Sequence, residues 1–166
     1  MYYQRPHSWA KEAAAYSVKK EQIPDHNRRR KEKLVEKGEA HGILVYDGSR
    51  PVGWCAYGPQ KEFPRVDSGR LYRKLKLKND GLRLWRIACF YVDTQCRRRG
   101  VAQVALRAAL ASIGKQGGGT VEAYPRVSKA GGSVSLWFGT TGMLEREGFR
   151  KVGPLGASVL MRREVP

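Results

Sequence analysis

The stretch from Leu84 to Ile113 restricts the possible folds of this chain more than any other. It opens on an apolar, aromatic and β-branched run, Leu84 to Val92. That run is too short for a solitary helix and is typical of a strand buried on both faces. Asp93 to Gly100 is polar and basic and ends in glycine. Val101, Val104, Ala105, Ala108 and Ala109 then recur at helical spacing, as do Leu106, Leu110 and Ile113. The order is strand, basic turn, helix. Such a junction directs unpaired backbone N–H groups and the positive end of a helix dipole at one spot, where an anionic phosphate can be held. Gly100 and the small Ala102 would let a phosphate approach the backbone. An isolated glycine between strand and helix can equally be a plain turn.

Composition narrows the class. One hundred and sixty-six residues suit one domain spanning 1–166, which at this size buries roughly 70% of the surface its unfolded chain exposes. No apolar run approaches membrane-spanning length, and the N-terminus MYYQRPHSWAKEAAAYS has no hydrophobic signal core. A soluble, cytoplasmic protein without membrane partners is expected. Cys55, Cys89 and Cys96 form no C-x-x-C, and His7, His26 and His41 are scattered, so free thiols and no metal are the expectation. The net charge of +17 has two readings, a surface for nucleic acid or a surface serving a polyanionic cofactor. Its clusters, at Arg28–Lys33, Arg70–Lys78 and Arg97–Arg99, lack zinc-finger spacing, an RNA-binding signature or heptads. Weak polyanion binding without sequence preference follows from charge alone.

In chain order, Ser8 to Lys20 reads as an alanine-rich helix, and Asp25 as the N-cap of a charged helix running to about Lys37, with Ile23-Pro24 a break between them. His41–Tyr46 and Pro51–Tyr57 read as a hairpin across Asp47-Gly48-Ser49-Arg50. Gly58 to Gly81 is a long connection in which Ser68 caps a short helix through Leu71 and Leu75, and Asn79-Asp80-Gly81 turns. It is either a substrate lid or a solvated decoration. Lys115 to Gly119 ends the central helix, and the crossover makes Val121–Tyr124 parallel to the Leu84 strand. Arg126 to Gly139 is irregular. A helix from Thr141 stops at Gly148, and Phe149–Val152 with Val159–Arg163 form a closing hairpin across GPLGAS.

Three segments carry a family likeness. RRRGVA (Arg97–Ala102) fits Q/R-x-x-G-x-G/A, VEAYP (Val121–Pro125) looks like a fifth strand, and GMLEREGF (Gly142–Phe149) is similar to A-x-x-L-Y-E-K-x-G-F. With these the chain resembles the GNAT superfamily of acetyl-CoA-dependent N-acyltransferases. The resemblance implies an α/β (α+β) fold, with a mixed, mostly antiparallel sheet, one splayed parallel pair of strands and flanking helices. It implies that acetyl-CoA enters the gap between those strands, its pantetheine pairing with Phe90, Tyr91 and Val92 and its pyrophosphate held by Arg97, Arg98, Arg99, Gly100, Val101 and Ala102. Glu122 matches a position that serves as general base in some members. Alternation along the strand puts Tyr124 on the same face, able to assist. A glutamate that merely pairs with an arginine is the other reading. The chain also departs from the family: its usual tyrosine acid falls at Leu144, its asparagine near Val127, and a first strand has only Tyr2 and Tyr3 as candidates.

Three functions fit. One is an N-acetyltransferase moving acetyl from acetyl-CoA to a primary amine of a small molecule, an aminoacyl group or a peptide by direct attack. The others are a non-catalytic acyl-CoA-binding protein and a basic nucleic-acid-binding protein. Walker-type nucleotide binding is excluded, since no G-x-x-x-x-G-K-[ST] occurs.

Overall fold

The structure, a computed structural model, describes residues 22–77, 81, 83–127 and 137–166. Helix α1 (Ile23–Glu36) is followed by strands β1 (His41–Asp47) and β2 (Arg50–Pro59), two short helices, α2 (Pro64–Asp67) and α3 (Arg70–Lys74), and strand β3 (Leu84–Val92). Helix α4 (Val101–Lys115), strand β4 (Gly119–Ala123), helix α5 (Thr141–Arg146) and strands β5 (Arg150–Leu155) and β6 (Ser158–Val165) complete the chain. Among the described residues the sheet has six strands in the order β1-β2-β3-β4-β6-β5. All neighbours are antiparallel except β3 and β4, which are parallel. This is the mixed α/β sheet with one parallel pair that the resemblance implies.

The parallel pair runs only from Leu84↔Thr120 to Ile87↔Ala123. On its other side β3 stays paired with β2 up to Val92, but Ala56 opposes Cys89 while Tyr57 opposes Ile87, so Ala88 is an extra residue on β3. A bulge of this kind bends its strand and ends local pairing. Beyond Ile87, β3 therefore has no ladder partner on its β4 side, and the two strands splay.

Two apolar layers sandwich the sheet. On one face α4 buries Ala105, Leu106, Ala109, Leu110 and Ile113 against Cys55, Tyr57, Trp85, Ile87 and Phe90. Tyr57 Oη and Ser112 Oγ, 2.6 Å apart, tie α4 to β2. Of the two apolar series expected on this helix, Val104 is a departure. It is 54% exposed, because the buried stripe runs through 105, 106, 109, 110 and 113. On the opposite face Phe63, Val66, Tyr72 and Leu75 of the long connection cover Ala56, Ala88, Tyr124 and Leu160, and Lys31 of α1 lies 5.1 Å from the Trp54 ring.

Local chemistry accounts for the remaining boundaries. Helix α1 begins two residues before Asp25, because Pro24 fits the first turn, where a missing N–H costs nothing. The long connection forms two helices, not one. Ser68 Oγ bonds back to the Arg65 carbonyl, and α3 starts after Gly69. The closing hairpin is longer than expected, with β5 and β6 paired from Leu155↔Ser158 outward. Gly148 (φ +80°) ends α5 with Phe149 N–H donating to the Leu144 carbonyl and Gly148 N–H to that of Glu145, the expected Schellman ending. The expected first strand, the Ser8–Lys20 helix, most of the Asn79–Gly81 turn and most of the 126–139 loop lie outside the described residues.

The buried stripe of α4 gives a direct test. Leu106→Ala should cost about 2–5 kcal/mol, and Val104→Ala should stay within about 0.5 kcal/mol, both read by urea unfolding. Equal losses at the two positions would contradict this packing.

Candidate functional site

The splay opens onto a cleft of about 420 Å³. One wall is Phe90, Tyr91 and Val92 of β3. The floor is Arg97, Arg98 and Gly100 of the turn with Val101, Ala102 and Gln103 of α4. The far wall is Trp137, Gly139, Thr140, Met143 and Arg146. Eight of the nine residues expected around a cofactor thus line one cavity, while the exposed Arg99 does not.

Sequence dictates this convergence locally. Gly100 caps α4 at φ +81°, a left-handed backbone that favours glycine, and supplies no side-chain cap. Gln103 and Val104 N–H donate to the Gly100 carbonyl, so the N–H groups of Val101 and Ala102, which line the cleft, are the ones ahead of the helical ladder. A Cβ at Gly100 would meet no protein atom, so conformation and the space kept open demand glycine here, not packing. Arg98 also adopts positive φ, +62°. A non-glycine residue held there costs on the order of 1–3 kcal/mol, and such strain clusters at functional sites. Gln103 of α4 donates to Glu147 Oε1 at 2.6 Å, tying the floor to the far wall. Among the described residues no carboxylate lines the cleft, while Arg97, Arg98 and Arg146 do. With the dipole of α4, the site suits an anion. Tyr91 and Trp137, both about half exposed, pack with ring centroids 6.3 Å apart.

Glu122 and Tyr124 are elsewhere. They do share a face, as alternation requires, but it is the face opposite α4. Glu122 is fully buried and Tyr124 is 3% exposed. The Glu122 carboxylate accepts from Tyr124 Oη (2.7 Å), from Tyr72 Oη (2.9 Å to each oxygen), and from Arg162 Nη2 and Nε (2.7 and 3.0 Å). Arg86 Nε adds an ion pair at 3.5 Å. A carboxylate offers about four lone-pair sites, so these donors saturate it. Glu122 therefore faces this ion row and not the cleft lined by Phe90–Val92, its carboxylate already accepting from Tyr124, Tyr72 and Arg162. Tyr124 is likewise spent on Glu122, and burial together with that carboxylate holds its hydroxyl well above the usual tyrosine range. Leu144, at the place of the family's tyrosine, is a fully buried core residue.

The residues that hold Glu122 escape a reading by motif. Arg86, Glu122 and Arg162 lie opposite one another on β3, β4 and β6, one rung before the parallel pairing ends. The signal was an arginine inside one apolar run and a glutamate inside the next, on strands expected to be neighbours. Arg86 in turn donates to Asp67 at 2.6 and 2.9 Å. Burial alone would lower the guanidinium's proton affinity, but Asp67 more than offsets it and Arg86 stays firmly charged. Burial also raises the Asp67 carboxyl, yet hydrogen bonds from Arg86 and Gln60 outweigh it and hold it below the usual carboxylate range. Among the far-wall residues, Trp137 and Thr140 carry no motif, and Met143 and Arg146 lie in the GMLEREGF segment without having been read as site residues; all four join the site through the fold.

Two expectations follow. Glu122→Gln leaves Arg86 without its buried counter-charge and should destabilise the fold by about 3–5 kcal/mol, whereas replacing an accessible base would leave the melting temperature nearly unchanged. Asp67, with its folded pKa depressed, contributes stability present above its unfolded pKa near 3.9 and lost as pH falls through the lower folded value. Urea unfolding across the acid range should show a shallower loss for Asp67→Asn than for the parent chain. An identical pH dependence would remove Asp67 from this network.

The family model described as "Acetyltransferase (GNAT) family" matches residues 4–136. Among solved structures, a Desulfovibrio desulfuricans protein named as an acetyltransferase of the GNAT family superposes with a TM-score of 0.59 at 15% identity, covering 93% of this chain and 87% of that one. A ribosomal-protein-alanine N-acetyltransferase from Brucella melitensis gives 0.54 at 15% identity, covering 84% and 77%. An N-acetyltransferase from Staphylococcus aureus Mu50 gives 0.54 at 14% identity, covering 100% and 82%. At such identities the likeness is one of fold. No curated protein matches the chain.

Proposed function

Because this chain belongs to the acetyltransferase (GNAT) family, we propose that it moves an acetyl group from acetyl-CoA to a primary amine by direct attack, the acceptor being a small molecule, an aminoacyl group or a peptide. The observation that carries this reading is the cleft itself. It joins an uncapped helix N-terminus, cationic side chains with no carboxylate among the described residues, and a strand edge left unpaired past the bulge at Ala88. These parts fit the ligand's chemistry. Phosphates suit the Gly100–Gln103 turn with Arg97, Arg98 and Arg146, and pantetheine amides suit the free edge at Phe90–Val92. Tyr91, Trp137 and Met143 supply apolar walls. A thioester brings an acyl group already activated for transfer, so the protein's part is positioning and polarisation, with no covalent enzyme intermediate.

The proton of the attacking amine then needs an acceptor other than Glu122. In this reading it leaves to water in the gap, and Glu122 with Tyr124 acts one step back, fixing the rung from which the strands diverge. A non-catalytic acyl-CoA-binding role shares the cleft but not turnover, and an assay of CoA thiol release over an amine panel separates the two.

Acetyl-CoA should raise the melting temperature, by about 2.7 kcal/mol of added stability at a hundredfold excess over Kd. Gly100→Asp places a carboxylate in the anion site and strains the left-handed turn. A folded Gly100→Asp protein should lose the shift, and one that binds acetyl-CoA as before would defeat the reading.

A further inference from the structure

The connection Gln60–Leu77 sorts its charges. It holds only two acidic residues, Glu62 and Asp67, and each is already paired within the fold. Glu62 is 7% exposed and lies against His41 Nδ1 at 2.5 Å, and Asp67 is consumed by Arg86. Four of its cations, in or just after α3, turn outward. Arg70, Arg73, Lys74 and Lys76 are all exposed, and none pairs with a carboxylate among the described residues. Arg70, Arg73 and Lys74 stand at i, i+3 and i+4, neighbours on one side of a helical turn. The opposite side is fixed: Leu71 reaches Gly156, Leu75 reaches Gly153, and Tyr72 holds Glu122. Tyr72 thus fixes α3 over the face opposite the cofactor cleft, anchored to the Glu122 rung, with the cationic ridge on its outer side.

We propose that this ridge is an acceptor-docking surface and that the acceptor is the free amino terminus of a peptide carrying acidic residues just behind it. This rests on the acetyltransferase reading and specifies its substrate class. A chain of net charge +17 repels basic peptides and attracts acidic ones over a Debye length, about 8 Å at physiological salt. The ridge is one short helix of five residues, about 7.5 Å long at 1.5 Å per residue, enough for two or three carboxylates. Nucleic acid fits it less well, because α3 presents no aromatic platform for bases. Its one aromatic, Tyr72, is bonded inward.

The test uses short peptides beginning with a free-amino alanine followed by acidic, neutral or basic residues, with acetyl-CoA as donor. Acidic peptides should be acetylated at least about tenfold more efficiently in kcat/KM than neutral ones, the ratio shrinking as salt rises. Reversing the ridge (Arg70→Glu, Arg73→Glu and Lys74→Glu together) should raise KM for acidic peptides by about tenfold or more, with kcat held near its starting value. The acetyl-CoA melting shift should persist, and Lys115→Glu, a reversal at the far end of α4, should leave KM unchanged. Equal use of basic peptides, or an unchanged KM in the triple variant, overturns the proposal. If acetyl-CoA binds but no peptide is acetylated, the peptide assignment fails and the cofactor reading stands; if acetyl-CoA does not bind, both fail. Competition by a single-stranded oligonucleotide that is tight at physiological salt and lost in the triple variant would instead give the ridge to nucleic acid.

Discussion

A single buried carboxylate organises this protein. Glu122 sits between Arg86 and Arg162 in one row across β3, β4 and β6, with Tyr72 and Tyr124 closing its remaining positions. Taking a carboxylate and a guanidinium out of water costs several kcal/mol per ion, returned only where geometry and hydrogen bonding are complete. That requirement fixes the relative positions of three strands to within hydrogen-bond tolerance. One rung later the bulge at Ala88 turns β3 away, and the cleft begins. Between them, the ion row and the bulge determine where the sheet stays closed and where it opens.

The two faces of the sheet divide the labour. On the α4 face, apolar packing sets a helix N-terminus against the free edge of β3 and leaves a cavity lined with arginine and, among the described residues, no acid. On the other face, the connection between β2 and β3 is fastened by Tyr72 and Asp67 to the ion row. That fastening distinguishes an ordered wall from a solvated loop. The bonds from Tyr72 to Glu122 also fix α3 on that face.

Sequence made the cleft legible because its parts are local. An apolar run, a basic turn ending in glycine and an amphipathic helix lie within thirty consecutive residues, so Phe90–Val92 and Arg97–Ala102 could be placed without knowing the rest of the fold. The opposite face was not legible in that way. Glu122 looked like a catalytic carboxylate because strand alternation says which side a residue faces, not what covers that side. Tyr72 arrives from fifty residues upstream and Arg162 from forty downstream, and neither position has a pattern that announces the meeting. The distinction between Leu106 and Val104 was lost for a similar reason, since helical spacing gives two candidate stripes and the sheet buries members of both, Ala105 and Ala109 together with Leu106, Leu110 and Ile113.

The central claim is that the bulge-opened cleft on the α4 face, and no other surface, receives acetyl-CoA. Backbone amide mapping by NMR during an acetyl-CoA titration tests it most directly. The account predicts that the largest shifts fall on Phe90–Val92 and on Gly100–Gln103, with β1 and the far end of α4 unmoved. Shifts concentrated on α1 or α3, with Gly100–Gln103 silent, would contradict it.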